Sequence, residues 1–271
     1  MNSYVILINS PYNQVAFISR SSMTAINHFH EQTALPSSSL RNDHFISAII
    51  PVYNEEKFLA NFIFSILHST FIDEIICVDD GSTDGSREIL HPYADSIHII
   101  ELPQNSGKGA ALAAGIQAAK GDIVLFLDAD LKNLTEFHIH ALLQPLLEKH
   151  ARVVVGYCKT SEKNPLNINE LISGQRAYYR SDLEPFLGEM ATKRFGIEMY
   201  LNSLFHPANV ISVPLMKLRS AYKYEKYKPD VAFTAYCREG KEIIVNIPTT
   251  VTSEHFITYM INKIKGMFIL A

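Results

Sequence analysis

The sequence predicts an α/β fold built on a doubly wound, mostly parallel central sheet, completed by a mixed lobe from the second half of the chain. Three observations carry that prediction. From Phe45 to Asp130, short apolar runs alternate regularly with helical patterns, which is the rhythm of a parallel sheet with right-handed crossovers. The runs are apolar throughout rather than alternating, as strands buried on both faces are. Polar, acidic and glycine residues gather immediately after each run, where doubly wound sheets bind ligands.

Each element follows in order. Residues 1–44 read as an N-terminal extension. They hold the loop signals Asn9-Ser10-Pro11 and Pro36-Ser37-Ser38-Ser39 and two apolar patches, Tyr4 to Ile8 and Val15 to Ile18, suited to short strands. Phe45 to Val52 is the first strand of the rhythm. Phe58, Leu59, Phe62, Ile63, Ile66 and Leu67 then fall on one side of a helix. Glu74 to Val78 is a strand, and Thr83 to Leu90 a short helix opened by Ser and Thr residues able to cap it. Ser96 to Leu102 is a strand, Lys108 to Ala119 an alanine-rich helix, and Asp122 to Leu127 a strand that runs into Asp128. After a strand at Arg152 to Gly156 the rhythm breaks. A polar loop, Lys159 to Glu170, leads to Ser173-Gly174-Gln175-Arg176-Ala177. A helical pattern covers Phe195 to Leu204, and strand signals cover Val210 to Val213 and Ile243 to Ile247. No linker divides the chain, so residues 45–135 and 136–271 are expected to form two halves of one domain.

The chain has 271 residues, 47% of them hydrophobic, and a formal net charge of −4 with no long basic run. A nucleic-acid backbone is therefore excluded as partner, while an anionic small molecule fits, because the local charge of a cleft outweighs the total. Cys77, Cys158 and Cys237 are odd in number and widely spaced, which suits neither a disulfide framework nor a zinc cluster and points to a reducing, cytoplasmic compartment. No stretch is expected to span a membrane, and the N-terminus lacks the pattern of a signal peptide. Phe256 to Ala271 mixes apolar residues with Lys263 and Lys265. It reads as a core or subunit-packing helix, the latter consistent with a homodimer, with a peripheral helix touching lipid as the alternative.

Four strand-end motifs carry chemistry. Asp128-Ala129-Asp130 places two carboxylates where one hard cation such as Mg²⁺ or Mn²⁺ could be held. Such an ion neutralises a departing diphosphate without proton transfer; a pair of solvated loop aspartates is the plain alternative. In Asp79-Asp80-Gly81-Ser82-Thr83-Asp84-Gly85, two acids after a buried strand need partners, and Asp80 suits a base N–H or a ribose hydroxyl. Ser82, Thr83 and Asp84 suit helix capping. Pro51-Val52-Tyr53-Asn54-Glu55 offers an aromatic face at Tyr53 and polar reach from Asn54 and Glu55, against a simple turn. Asn105-Ser106-Gly107-Lys108-Gly109 combines close backbone approach, a helix N-terminus and the Lys108 charge for a phosphate, without the spacing of a Walker A loop. Together the four offer contacts for base, ribose, phosphate and metal.

In this order, the motifs resemble the family 2 glycosyltransferases and their nucleotide-diphospho-sugar transferase A-type fold. The resemblance covers residues 45 to about 135. It implies a nucleotide-diphospho-sugar donor, bound by Pro51, Tyr53, Asn54, Glu55, Asp80, Lys108, Asp128 and Ala129. It also implies Mg²⁺ or Mn²⁺ held through the triplet, with Asp130 the direct ligand and Asp128 a contact to the ribose or to a metal-bound water. In the second half, Ser173 to Ala177 and Phe195-Gly196-Ile197-Glu198 resemble the acceptor-side segments of the branch containing polyprenyl-phosphate sugar transferases and glucosyl-phosphoglycerate synthases. Gln175 and Arg176 would then line the acceptor or diphosphate side. Glu198 would approach the reacting centre, or else lie on a solvated helix face. His255 resembles a histidine that contacts the metal or diphosphate in some relatives. The Gln-x-x-Arg-Trp signature of processive synthases is absent, and the chain has no tryptophan. The expected activity is transfer of a hexosyl group to a small or polyprenyl-phosphate acceptor. The alternatives are a non-catalytic nucleotide-sugar-binding protein and a sugar-1-phosphate nucleotidyltransferase.

Overall fold

The computed structural model describes residues 44–159, 172–194 and 196–226, the strands Tyr4–Leu7 (β1) and Val15–Ile18 (β2), and Asp230 and Thr234. β1 and β2 pair antiparallel, as their apolar patches suggest.

The apolar run before Tyr53 becomes β3 (Ile46–Val52), buried at every position but Pro51. The next elements are α1 (Leu59–Ile66), β4 (Glu74–Asp79), α2 (Ser86–Leu90), β5 (His98–Glu101), α3 (Lys108–Ala118) and β6 (Ile123–Phe126). β7 (Leu131–Lys132), α4 (Glu136–Leu147), β8 (Val153–Lys159) and β9 (Gln175–Tyr179) come next. The described chain then adds α5 (Arg180–Leu183), α6 (Leu187–Ala191), α7 (Ile197–Leu204), β10 (Val210–Met216), β11 (Arg219–Ser220) and α8 (Lys223–Lys226).

Among the described residues, seven strands form the central sheet in the order β10-β8-β9-β6-β3-β4-β5. All neighbours run parallel except at β9, which is antiparallel to both β6 and β8. The sheet is thus mostly parallel and mixed, as expected. The chain builds outward from β3 to β5 and then returns to lay β6 on β3's other side. That reversal opens a crevice beyond the carboxyl ends of β3 and β6, the place where such sheets take ligands.

Apolar side chains cover both faces. One core packs Leu59, Phe62, Ile63 and Ile66 of α1 and Leu142, Leu143 and Leu146 of α4 against the sheet. The other packs Ala111, Leu112 and Ile116 of α3 with Met190, Ile197 and Leu201. The small residues of α3 have a steric reason: a methyl on Gly115 would lie inside van der Waals contact with Ile49. Cys77 is fully buried in the first core, as expected for a small apolar residue.

Several elements differ from the sequence reading. The segment at Ser173 to Ala177 enters the sheet as β9, with Gln175 and Arg176 buried inside it. Two buried polar residues in succession hide a strand from an apolar pattern. Helix α4 was not visible because Pro145 lies inside it. Its start is fixed by Thr135, whose backbone N–H donates to His138 Nδ1 at 3.1 Å, while His138 Nε2 donates to Met216 O at 2.9 Å. α2 begins at Ser86 rather than Thr83, because Thr83 and Asp84 serve loop contacts instead. β8 extends past Gly156 to Lys159. The strand at Ile243 to Ile247 and the helix at Phe256 to Ala271 lie outside the described residues. Among the described residues no helix is long and apolar enough to cross a membrane.

Candidate active site

The loops after β3 and β4 brace each other. Asn54, at φ 56°, donates its backbone N–H to Ser82 Oγ and accepts from Thr83 N through its side-chain oxygen at 2.8 Å. Glu55 N donates to Ser86 Oγ, and Gly85 N donates to Glu56 Oε2. The Asn54 carboxamide oxygen thus holds the neighbouring loop, whereas Tyr53 is exposed beside it. Pro51 is half-buried within β3, opposite Val78.

Both acids after β4 find the partners that burial demands. Asp79 is fully buried and accepts from Arg87 Nε at 2.6 Å. The carboxylate of Asp80 organises the next loop. It accepts from Ser106 N at 2.7 Å, Gly107 N at 2.8 Å and Asn105 Nδ2 at 3.1 Å. Gly107 has φ 101°, a conformation that L side chains rarely adopt. Burial pushes the Asp80 pKa up against the pull of the Ser106 and Gly107 amides and of Arg194.

Beyond β6, the acids are balanced by two lysines. Lys108 Nζ, from the start of α3, lies 2.6 Å from Asp128 Oδ1 and 2.7 Å from Glu198 Oε1, in the first turn of α7. Asp128 Oδ2 accepts from Gln175 Nε2 at 2.8 Å, and Gln175 is itself fixed by Ser173 Oγ at 2.9 Å. Burial opposes the charges here, but Lys108 and Gln175 outweigh it and hold Asp128 below the usual carboxylate range. The two carboxylates likewise hold Lys108 well above the ordinary lysine value. The second lysine is Lys226, in α8. Its ammonium lies 2.5 Å from Glu55 Oε1 and 2.6 Å from Asp130 Oδ2. Ala129 is buried between the two aspartates.

The geometry thus brings Asp128, Lys108, Glu198 and Gln175 into one network, and Asp130, Glu55 and Lys226 into another. Glu198 is buried there rather than on a solvated face. Arg176 stands apart. It is 1% exposed, with Nε donating to Ser173 O at 2.6 Å and a terminal nitrogen donating to Asn202 Oδ1 at 2.7 Å. There it braces β9. His255 lies outside the described residues. Sequence reasoning missed Lys226, because the stretch Lys223-Tyr224-Glu225-Lys226 carries no motif.

Among the described residues, no three His, Cys, Asp or Glu side chains are grouped as metal ligands. The donor chemistry nevertheless fits a hard cation. Two aspartates and two glutamates line the two networks with ammonium groups lodged on them, and among the described residues Glu55 Oε2 is buried with no hydrogen-bond partner.

Two consequences are measurable. A β-carbon on Gly174 would sit 2.5 Å from both Asp128 Oδ1 and Lys108 Nζ. Gly174→Ala is expected to destabilise the fold by about 1–3 kcal/mol, as overpacking does, and denaturant melts check it. Burial also pushes the Glu55 pKa from 4.5 up to about 7, against the pull of Lys226 and with help from Asp130. A raised carboxyl pKa gives stability that is full below the unfolded value and is lost as pH rises through the folded one. Wild-type stability relative to Glu55→Gln should therefore fall between pH 4.5 and about 7. A flat difference across that window, in paired urea melts, would rule this out.

Comparison with known proteins decides the family. The model described as Glycosyl transferase family 2 matches residues 47–205, more than half of the chain. The chain belongs to this family. It is 33% identical over 138 residues to glucosyl-3-phosphoglycerate synthase of Mycobacterium tuberculosis, covering 48% of this chain and 41% of that protein. It is 41% identical over 100 residues to undecaprenyl-phosphate 4-deoxy-4-formamido-L-arabinose transferase of Pseudomonas savastanoi, covering 34% of this chain and 30% of that one. The chain thus spans less than half the length of these curated relatives. The crystal structure of the M. tuberculosis synthase with Mn²⁺, uridine diphosphate and glucosyl-3-phosphoglycerate superposes at a TM-score of 0.61. That match covers 81% of this chain and 88% of the other at 22% identity. The family 2 protein therefore shares that fold.

Proposed function

We propose that this family 2 protein is a glycosyltransferase that moves a hexosyl group from a nucleotide-diphospho-sugar to a small or polyprenyl-phosphate acceptor, with Mg²⁺ or Mn²⁺ required. One observation carries the proposal: the carboxylates beyond β6 gather in the crevice at the switch point, and lysine ammonium groups lodge on them. Such a site is built for cations.

Asp130 is the metal ligand in this reading, with Asp128 beside it and His255 as a third participant. The bound ion would offset the charge that develops on the leaving diphosphate. Tyr53 supplies an aromatic face for the base, Asp80 an acceptor for the base or ribose, and Pro51, Asn54 and Ala129 the shape of that side. Gln175 orients Asp128. Arg176 keeps β9, and hence Gln175, in register. Lys108 holds Asp128 and Glu198 in one place and is a point charge beside the phosphates. For an inverting reaction, Glu198 takes the proton from the acceptor hydroxyl.

The relatives named above include one named for a phosphoglycerate product and one named for an undecaprenyl phosphate, which supports both acceptor classes. A polyprenyl acceptor would bring the protein to the cytoplasmic face of a membrane, with residues 256–271 as the contact or as a dimer-packing helix. Residues 45–135 would serve the donor and 136–271 the acceptor, with 1–44 as an extension. Family membership and the acidic, glycine-free loop Tyr53-Asn54-Glu55-Glu56 both weigh against a nucleotidyltransferase.

A thermal-shift screen of nucleotide sugars with and without Mn²⁺ tests the donor assignment, because a ligand at about 100 times its Kd stabilises by about 2.7 kcal/mol. One donor should raise the melting temperature with Mn²⁺ and much less without it. No shift from any nucleotide sugar would contradict the reading.

A further inference from the structure

Residues 219–226 form a strap over the acidic site. β11 pairs antiparallel with β7, joining Arg219 and Ser220 to Lys132 and Leu131. The next residue, Ala221, donates its N–H to the carbonyl of Asp130 itself at 3.0 Å. The strap then folds back on Glu225, which accepts from Lys132 Nζ at 2.8 Å, Tyr222 N at 3.1 Å and Arg219 at 3.2 Å. Lys57, from the loop after β3, donates to Lys226 O at 2.9 Å. This fixed path delivers one side chain, Lys226, between Glu55 and Asp130.

We infer that Lys226 is a tethered cation that closes the Asp130–Glu55 pair until a divalent ion displaces it, so that ion binding must loosen the strap. The inference rests on the reading of Asp130 as metal ligand. Its physical basis is that one carboxylate oxygen cannot hold a close ammonium contact and a metal bond in the same direction. Both cations answer the same need, to neutralise buried carboxylates. An incoming ion therefore has to break two charge-assisted hydrogen bonds.

The test is Mn²⁺ titration followed by electron paramagnetic resonance, on the full chain without donor or acceptor. Lys226→Gln should bind Mn²⁺ about tenfold more tightly than wild type or better, the scale of losing charged hydrogen bonds. Glu225→Gln leaves Lys226 in place and only weakens the strap. It also removes a negative charge, so simple electrostatics would make Mn²⁺ binding weaker, whereas a loosened strap makes it tighter. Tighter binding in both variants supports the inference, and if Lys226→Gln fails to fold, Glu225→Gln decides alone. Equal affinity in all three proteins overturns it and leaves Asp130 as the metal site. Tighter binding in Lys226→Gln with weaker binding in Glu225→Gln overturns it too. Mn²⁺ binding by none of the three overturns the metal reading and the inference together.

Discussion

Asp130→Asn is expected to reduce metal-dependent transfer by about two to three orders of magnitude, the scale on which removing one preorganised electrostatic contact slows an enzyme. The substitution keeps the volume of the side chain and removes the charge that fits it for a hard ion. The fold should survive. Asp130 lies in the turn after β6, and the hydrogen bond that anchors the turn there uses its backbone carbonyl, not its carboxylate. Lys226 keeps Glu55 as its partner. Thermal melts of the variant should thus stay close to wild type, while Mn²⁺ affinity and turnover both collapse. Full activity in a folded Asp130→Asn protein would remove the metal from this site.

The second large effect is expected at Glu198. Its carboxylate sits 2.7 Å from Lys108 Nζ, buried at the mouth of α7. If it takes the acceptor proton, Glu198→Gln should lower kcat by about 10²–10⁴, the usual contribution of a general base, with little change in the KM for donor. If instead Glu198 serves only to neutralise Lys108, the variant frees that ammonium, and the change should fall on donor KM. A kcat loss is thus the result that assigns the base, and an unchanged kcat denies it.

Much of the crevice between β3 and β6 was legible because it is local. Each strand from β3 to β6 is a short apolar run, and the loop after it carries its own polar residues, so the order of the motifs is the order of the site. The cross-braces between the loops were legible only in part. Nothing in Asn54 announces that its side chain will hold Thr83, since that contact depends on the spacing of two neighbouring strands. The place of Arg176 was not legible for the opposite reason: it sits in a polar stretch, yet register puts it inside a sheet, where its guanidinium reaches Ser173 and Asn202. Lys226 is the furthest case. Its role follows from a strap that returns from far along the chain to meet Asp130, held there by the hydrogen bond from Ala221 N to Asp130 O. No local pattern encodes that.

The most direct test of the central claim is nucleotide release from the donor that the thermal screen selects. It is measured on the full chain with an acceptor panel, before and after the ion is removed by a chelator. The account predicts release with Mn²⁺ or Mg²⁺ present, its loss on chelation and its return when the ion is restored. Tight donor binding with no release under any condition, or release indifferent to chelation, would contradict it.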